Sequence, residues 1–202
     1  MSSTPVLYYF QRTYTGSVRM EAIKQTLHET QLYLVRSGDH IIAELYAGNE
    51  FAIIKLPDHS LKVSVWKKDH KKKVYAITDA FTGEAVGKVE YPAWFWTRKI
   101  IANALLMVPG EIYSMKKIRT PVPLFSPKNK RVLRYQMLSG GNDTYYYTGK
   151  FSHTDKHLSK GHKEEIFSGT IEAPGYEHLF PAMTGLYILE KNFRLESKTS
   201  AV

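Results

Sequence analysis

The sequence predicts a mainly β protein: an antiparallel β-barrel, or a strongly curved sheet, around a buried C-terminal helix. Two observations carry this prediction. Short runs rich in Val, Ile, Tyr and Phe recur from residue 31 to residue 171 with turn residues between them, which is typical of serial antiparallel strands. The chain then ends in a segment whose apolar residues lie on every side of a helix, and such a helix is buried by its surroundings.

The most legible β unit is residues 75–89. Two apolar runs flank a polar turn that contains Asp79, Thr82 and Gly83. Glycine takes positive φ without steric cost, so this pattern predicts a β-hairpin that reverses near Gly83. Pro92 is expected to end the second strand, because proline cannot donate to a strand ladder.

Further strands follow from the same alternation. They are predicted at residues 6–10, 31–36, 40–46, 51–56, 61–66, 111–118, 132–138, 144–151 and 165–171. Residues 67–73 are predicted to be a turn. Residues 120–130, with three prolines, are predicted to be a loop, and residues 152–163 are predicted to be polar and irregular.

Three segments have helical patterns. Ser17 is a candidate N-cap for a helix that runs to His28, with its apolar residues on one face. Residues 93–108 fit either a helix or two strands, because periodicity does not decide a short apolar run. The C-terminal helix begins near Tyr176 and becomes polar from Glu190, before a frayed tail.

These elements predict a single domain over residues 1–202. Residues 1–29 form its N-terminal strand and helix, residues 30–196 form the barrel with the C-terminal helix, and residues 197–202 form the tail. A chain of 202 residues is long enough to bury a sizeable core.

There is no cysteine, which excludes disulfides, zinc thiolate sites and cysteine nucleophiles. No signal-peptide pattern or membrane-spanning apolar run is visible, so the expected location is the cytoplasm, with peripheral contact to a membrane.

The net charge of +9 is concentrated in the middle third of the chain. Residues 67–134 carry fifteen basic and five acidic side chains, whereas the two outer thirds are close to neutral. A localised excess of positive charge is informative about partners, and an anionic ligand is the partner class it favours. The alternative is that this charge only keeps the protein soluble.

Two clusters lie in this basic third. The cations proposed to bind an anionic ligand are Lys67, Lys68, Lys71, Lys72, Lys73, Arg98 and Lys99, and the aromatic membrane anchors are Trp94 and Trp96. Lysines beside an anionic membrane each contribute about 1 kcal/mol, and indole rings favour the head-group level. The same residues also suit single-stranded nucleic acid. A solvated turn for the lysines and a core segment for the tryptophans are the alternatives without a ligand.

The sequence assigns no catalytic residue, metal site or cofactor. His153 and His157 would share a face if residues 152–159 were helical, and His162, Asp155 and Glu164 are nearby in sequence. However, the glutamate that a zinc protease places between its two histidines is missing. No Gly-x-Ser-x-Gly turn or phosphate-binding glycine pattern is present either. Enzymatic activity therefore stays an open question, because active sites also assemble from residues remote in sequence.

The phrase Tyr75-Ala76-Ile77-Thr78-Asp79, followed by Thr82-Gly83-Glu84 and Val86-Gly87-Lys88-Val89, resembles a strand–turn–strand unit of the tubby C-terminal-like superfamily. Within it, the LURP-one-related proteins and phospholipid scramblases are the similar branches. Residues 180–189 are similar to the buried central helix of these proteins. The resemblance covers roughly residues 30–195. It implies a β-barrel without an agreed enzymatic activity and, in the tubby branch, recognition of phosphoinositide head groups by a basic cleft.

The function predicted from the sequence is therefore a non-enzymatic binding module for an anionic ligand, with phospholipid head groups at a membrane surface as the first candidate. Single-stranded nucleic-acid binding through the basic third is the alternative. A third hypothesis is a small-molecule enzyme or carrier with a pocket at the barrel mouth.

Overall fold

A computed structural model describes residues 6–20, 24–48, 51–68, 72–92, 105–108, 111–118, 132–139, 144–154, 164–175 and 178–199. Their order is twelve strands followed by one helix. The strands are β1 (Val6–Met20), β2 (Gln25–Ser37), β3 (His40–Ala47), β4 (Phe51–Lys55), β5 (Ser60–Lys68), β6 (Lys72–Asp79), β7 (Ala85–Pro92), β8 (Leu105–Val108), β9 (Glu111–Ile118), β10 (Val132–Ser139), β11 (Thr144–Thr154) and β12 (Glu164–Ala173). The helix is α1 (Leu179–Thr199).

The twelve strands form one closed antiparallel barrel. Each strand pairs with the strand before it and the strand after it in the chain, and β1 closes the barrel by pairing with both β2 and β12. In the closing pair, Tyr8 lies opposite Ile171 and Phe10 lies opposite Gly169. The predicted antiparallel β-barrel is therefore confirmed.

Side-chain alternation explains why these segments form strands with one face toward a core. In β5, Leu61 and Val63 are buried, while Lys62 and Ser64, which alternate with them, are partly exposed. Successive residues of a strand point to opposite faces, so this period of two places one apolar row inside the barrel. The same rule buries Tyr8 and Phe10 of β1.

α1 fills the centre of the barrel. Ten consecutive residues, Pro181 to Glu190, are buried, which requires neighbours on every side of the helix. Tyr187 makes an edge-to-face contact with Tyr75 of β6, with ring centroids 5.9 Å apart. Pro181 lies in the first turn of α1, where its missing N–H removes no helical hydrogen bond. The predicted buried C-terminal helix is confirmed.

The β6–β7 hairpin forms where the sequence predicts it. Asp79 N–H donates to the Glu84 carbonyl at 2.9 Å, and Gly83 N–H donates to the Asp79 carbonyl at 3.1 Å. Gly83 has φ of +76°, the left-handed conformation that the turn requires. Pro92 is the last residue of β7, as expected.

The predicted helix from Ser17 to His28 is wrong. Residues up to Met20 belong to β1, and residues from Gln25 belong to β2. The β1–β2 ladder has register shifts at Arg12/Tyr14 and Gly16/Val18. Each extra residue in a strand displaces the alternation by one position, so apolar side chains acquire spacings that resemble a helical face.

Other boundaries also differ from the sequence prediction. Residues 67–68 and 72–73 extend β5 and β6 and are not part of the turn. In the segment 93–108, residues 105–108 form β8, while residues 93–104 lie outside the described residues, as does the predicted loop 120–130. Residues 152–154 belong to β11 and not to the predicted irregular segment 152–163, whose remaining residues lie outside the described residues. α1 continues to Thr199, into the predicted tail.

Candidate functional site

The meander places alternate connections at opposite ends of the barrel. Every strand is antiparallel to both neighbours, so all odd-numbered strands finish at one end and all even-numbered strands finish at the other. We call the end where odd-numbered strands finish the basic end. It receives the six connections 21–24, 48–50, 69–71, 93–104, 119–131 and 155–163. We call the opposite end the acidic end. It receives the segments 38–39, 56–59, 80–84, 109–110, 140–143 and 174–178.

The sequences of the connections at the basic end are long and positively charged. Together they contain 44 residues, with eleven Lys or Arg and four Asp or Glu. The basic residues are Lys24, Lys71, Arg98, Lys99, Arg119, Lys128, Lys130, Arg131, Lys156, Lys160 and Lys163. Apart from Lys24 and Gly48, these connections lie outside the described residues; their sequences combine basic residues of the middle third with others from the first and last thirds.

The segments at the acidic end are short and negatively charged. Their 22 residues include five Asp or Glu, and their sequences contain no Lys or Arg. The acidic residues are Asp39, Asp58, Glu84, Asp143 and Glu177. The sequences of the two sets of connections thus carry opposite net charge.

The lysines predicted to bind an anionic ligand belong to the β5–β6 hairpin at the basic end. Lys67 and Lys68 are the last two residues of β5, and Lys72 and Lys73 are the first two of β6. Lys68 and Lys73 are direct register partners across the two strands. Lys71, in the connection between these strands, lies outside the described residues.

The second predicted cluster is Trp94, Trp96, Arg98 and Lys99, and all four lie outside the described residues. The strand ends on either side of this cluster are Pro92 and Leu105. β7 finishes and β8 begins at the same end of the barrel as the β5–β6 connection.

The C-terminal part of α1 is rich in basic residues. α1 begins six residues after β12 finishes at the acidic end. A helix of 21 residues is about 31 Å long. Its last nine residues, 191–199, include Lys191, Arg194 and Lys198 against one acidic residue, Glu196.

The outer wall carries a groove of about 480 Å³ over β12, β1 and β2. It is lined by Tyr9, Phe10, Gln11, Thr13, Leu34, Arg36, Ser168, Gly169 and Thr170. The small side chains Ser168 and Thr170 of β12 leave space beside Tyr9, which is 49% exposed. This groove is in the barrel wall, whereas the sequence hypothesis of an enzyme or carrier places a pocket at the barrel mouth, and its lining contains no His, Asp or Glu.

Two carboxylates at the acidic end are stabilised in their charged form. The pKa of Asp79 is lowered because its carboxylate accepts hydrogen bonds from the backbone N–H groups of Thr82 and Phe81, at 2.8 and 2.9 Å. The pKa of Asp58 is lowered chiefly by its hydrogen bond with the His59 ring, whose Nδ1 lies 2.6 Å away. Both groups therefore stay ionised at neutral pH.

The histidines considered as metal ligands divide between described and undescribed residues. His153 lies in β11, where its register partner is Glu165 of β12, and His157 and His162 lie outside the described residues. Among the described residues, no group of three His, Asp or Glu has the geometry to hold a metal ion.

The alternation of the connections is the signal that sequence reasoning missed. In a meander, every second turn meets at the same end, so charges are best compared between alternate turns rather than between thirds of the chain.

Comparisons with known proteins add no relative: no family model, curated protein or solved structure matches the chain. Within the part of the chain that the structure describes, no helix has the length and apolar character needed to cross a membrane.

Proposed function

We propose that this protein is a binding module that docks its basic end onto an anionic phospholipid surface, without catalysing a reaction. The observation that carries the proposal is the division of charge between connections, with eleven basic and four acidic residues at one end and five acidic and none basic at the other. Such a molecule is oriented as it approaches a negative surface, because its two ends experience opposite forces.

The β5–β6 hairpin supports the choice of an anionic ligand. Lys68 and Lys73 are register partners. Five lysines within seven residues, 67–73, give this hairpin a high positive charge in sequence. An anionic ligand is the partner class that such a local excess of positive charge favours.

The residues proposed to contact lipid remain those predicted from the sequence. Lys67, Lys68, Lys71, Lys72 and Lys73 would contact head groups, with Arg98 and Lys99 beside them and with Trp94 and Trp96 at the interface. We place the protein in the cytoplasm, where the adjacent membrane leaflet carries anionic lipids. A barrel around a central helix is also the architecture that the tubby-like resemblance implies, and we propose a distant relationship on that ground.

Vesicle co-sedimentation tests the proposal. Vesicles of phosphatidylcholine with 5% phosphatidylinositol bisphosphate, and matched vesicles of phosphatidylcholine alone, are incubated with the protein in 100 mM salt. We expect retention by the first vesicles only. Lys68→Glu should weaken binding roughly 30-fold, because losing one lysine and adding one repelling charge each cost about 1 kcal/mol.

Arg36→Glu is the matched control, since it changes the net charge equally at an exposed position of β2 outside the basic end. Equal losses for the two variants would show that net charge alone governs binding and would refute docking by the basic end. Equal retention on both vesicle types would refute lipid binding. Fluorescence anisotropy with a 20-nucleotide single-stranded DNA then tests the nucleic-acid alternative, which requires affinity that falls steeply with salt.

A further inference from the structure

The β6–β7 turn holds a large apolar side chain in solvent. Phe81 is 67% exposed, more than any other large hydrophobic residue that the structure describes. Single exposed apolar residues are common in soluble proteins. In this turn, the backbone around the exposed residue is also held by several hydrogen bonds.

Five hydrogen bonds fix the backbone around Phe81. Phe81 and Thr82 donate to the Asp79 carboxylate, Gly83 donates to the Asp79 carbonyl, Asp79 donates to the Glu84 carbonyl, and Glu84 N–H donates to Thr82 Oγ1 at 3.2 Å. In addition, Ala80 N–H donates to the Ser60 carbonyl at 2.7 Å, which ties the turn to the adjacent β4–β5 hairpin. These bonds fix the backbone of the turn and keep Phe81 at its tip.

A rigid aromatic side chain is suited to be a binding anchor. It offers a large contact area, and little conformational entropy remains to be lost when it is covered. Aromatic residues of this kind dominate the energetics of many interfaces when they enter a pocket of the partner. The exposed apolar area of Phe81 therefore contributes binding free energy only when the surface of a partner covers it.

The charges around Phe81 select the kind of partner. Asp58, Asp79 and Glu84 are exposed or lie at the exposed edge of the two hairpins that bear Phe81. Lysines described on the neighbouring strands are engaged elsewhere: Lys55 with Glu44, Lys62 with Gln25, and Lys88 with Glu90. A surface that is apolar at its centre and negative around it complements a partner segment with apolar residues flanked by basic ones.

We propose that the β6–β7 turn is a docking site for a segment of a partner protein, in which Phe81 packs against apolar residues flanked by Lys or Arg. The site is at the acidic end, opposite the surface assigned to lipid, and does not depend on that assignment. A molecule docked on a membrane by its basic end presents Phe81 away from the lipid. The barrel then connects a membrane surface to a basic protein.

A phage-displayed library of random twelve-residue peptides, panned against the whole protein, tests this proposal. Bound peptides should share apolar or aromatic residues flanked by Lys or Arg. A synthetic peptide of that consensus, labelled with fluorescein, should bind at least tenfold more weakly to Phe81→Ser than to the wild type by fluorescence anisotropy. Asp58→Asn combined with Glu84→Gln should weaken binding and reduce its dependence on salt.

Ile41→Ser is the matched control, because Ile41 is 50% exposed and lies in β3 near the same end of the barrel. This variant should retain full affinity. Unchanged thermal unfolding midpoints for Phe81→Ser and Ile41→Ser establish that both variants fold. The proposal is overturned if panning selects no peptide, if the consensus lacks basic residues, or if the two serine variants lose affinity equally.

Discussion

Shortening Leu186 to alanine should destabilise the protein by about 4 kcal/mol. Leu186 is completely buried in the part of α1 that the barrel encloses. Replacement of a buried leucine by alanine costs about 2.7–5 kcal/mol, and the cost rises with the volume of the cavity that remains. Here the upper part of that range applies, because every strand of the closed barrel is hydrogen-bonded on both sides and the wall cannot collapse inward.

Urea denaturation, followed by far-ultraviolet circular dichroism, measures this effect. The midpoint should fall while the slope of the free energy with urea stays unchanged, since the area exposed on unfolding is nearly the same. Ile112→Ala is the control: Ile112 is 56% exposed on β9, and the expected cost is about 0.5 kcal/mol. A cost below about 1.5 kcal/mol for Leu186→Ala would refute the reasoning, because it would mean that α1 is not enclosed by a rigid wall.

Three further predictions concern the barrel wall and its turns. Gly87→Ala should lower the free energy of unfolding by about 2–3 kcal/mol, because the new Cβ would lie 2.6 Å from the Met107 carbonyl oxygen of β8. Gly83→Ala should lower it by only about 1 kcal/mol, because the new Cβ meets no atom and only the backbone strain at φ +76° remains. Equal urea midpoints for the two variants would contradict this order. Asp79→Asn should be less stable than the wild type at pH 7, and the difference in stability should shrink below about pH 4. The lowered pKa of Asp79 means that its carboxylate stabilises the folded protein only while it is ionised. A difference in stability that does not change with pH would contradict this prediction. Burial and the hydrogen bond to Glu44 raise the pKa of Tyr46 to about 12. The wild type should therefore lose stability relative to Tyr46→Phe as the pH rises from about 10 toward 12. Urea denaturation of both proteins at a series of alkaline pH values would test this.

The barrel strands could be predicted because one face of each contacts a continuous core. In β5, Leu61 and Val63 alternate with Lys62 and Ser64, and burial follows the same alternation. The buried part of α1 could be predicted for a related reason, since only a helix enclosed on all sides places apolar residues on every face. Both signals are local in sequence and reflect a single environment.

The N-terminal segment could not be predicted in the same way, because its pattern depends on partners far along the chain. Leu27 is buried although Gln25, Thr26 and His28 around it are exposed. A Cβ on Gly48, in the β3–β4 connection, would lie 2.6 Å from Leu27 Cδ2, so Leu27 packs directly against that turn. The register shifts of β1 and β2 remove the period of two, and only the ladder itself determines the strand assignment.

The same dependence on partners far along the chain explains which residues of the candidate site could be predicted from the sequence. Lys67, Lys68, Lys72 and Lys73 could be selected because they are close in sequence. The link between them and residues such as Lys128 or Lys160 requires the strand order, since only the meander brings the fifth, ninth and eleventh connections to one end. Phe81 was part of a recognised hairpin, but its exposure depends on hydrogen bonds that no periodicity reveals.

Collecting charges of one sign at one end destabilises a fold, so such a distribution of charge points to a function. Like charges gathered at one end repel one another, whereas alternating signs among the twelve segments would attract. Folding alone gives no reason for every second connection to lack Lys and Arg while the others carry eleven. A requirement to bind opposite partners at the two ends does give such a reason, because each end is then neutralised by what it binds. Vesicle binding by the basic end and peptide binding at Phe81 should therefore occur together on one molecule, and a protein that released the peptide when it bound vesicles would contradict this account.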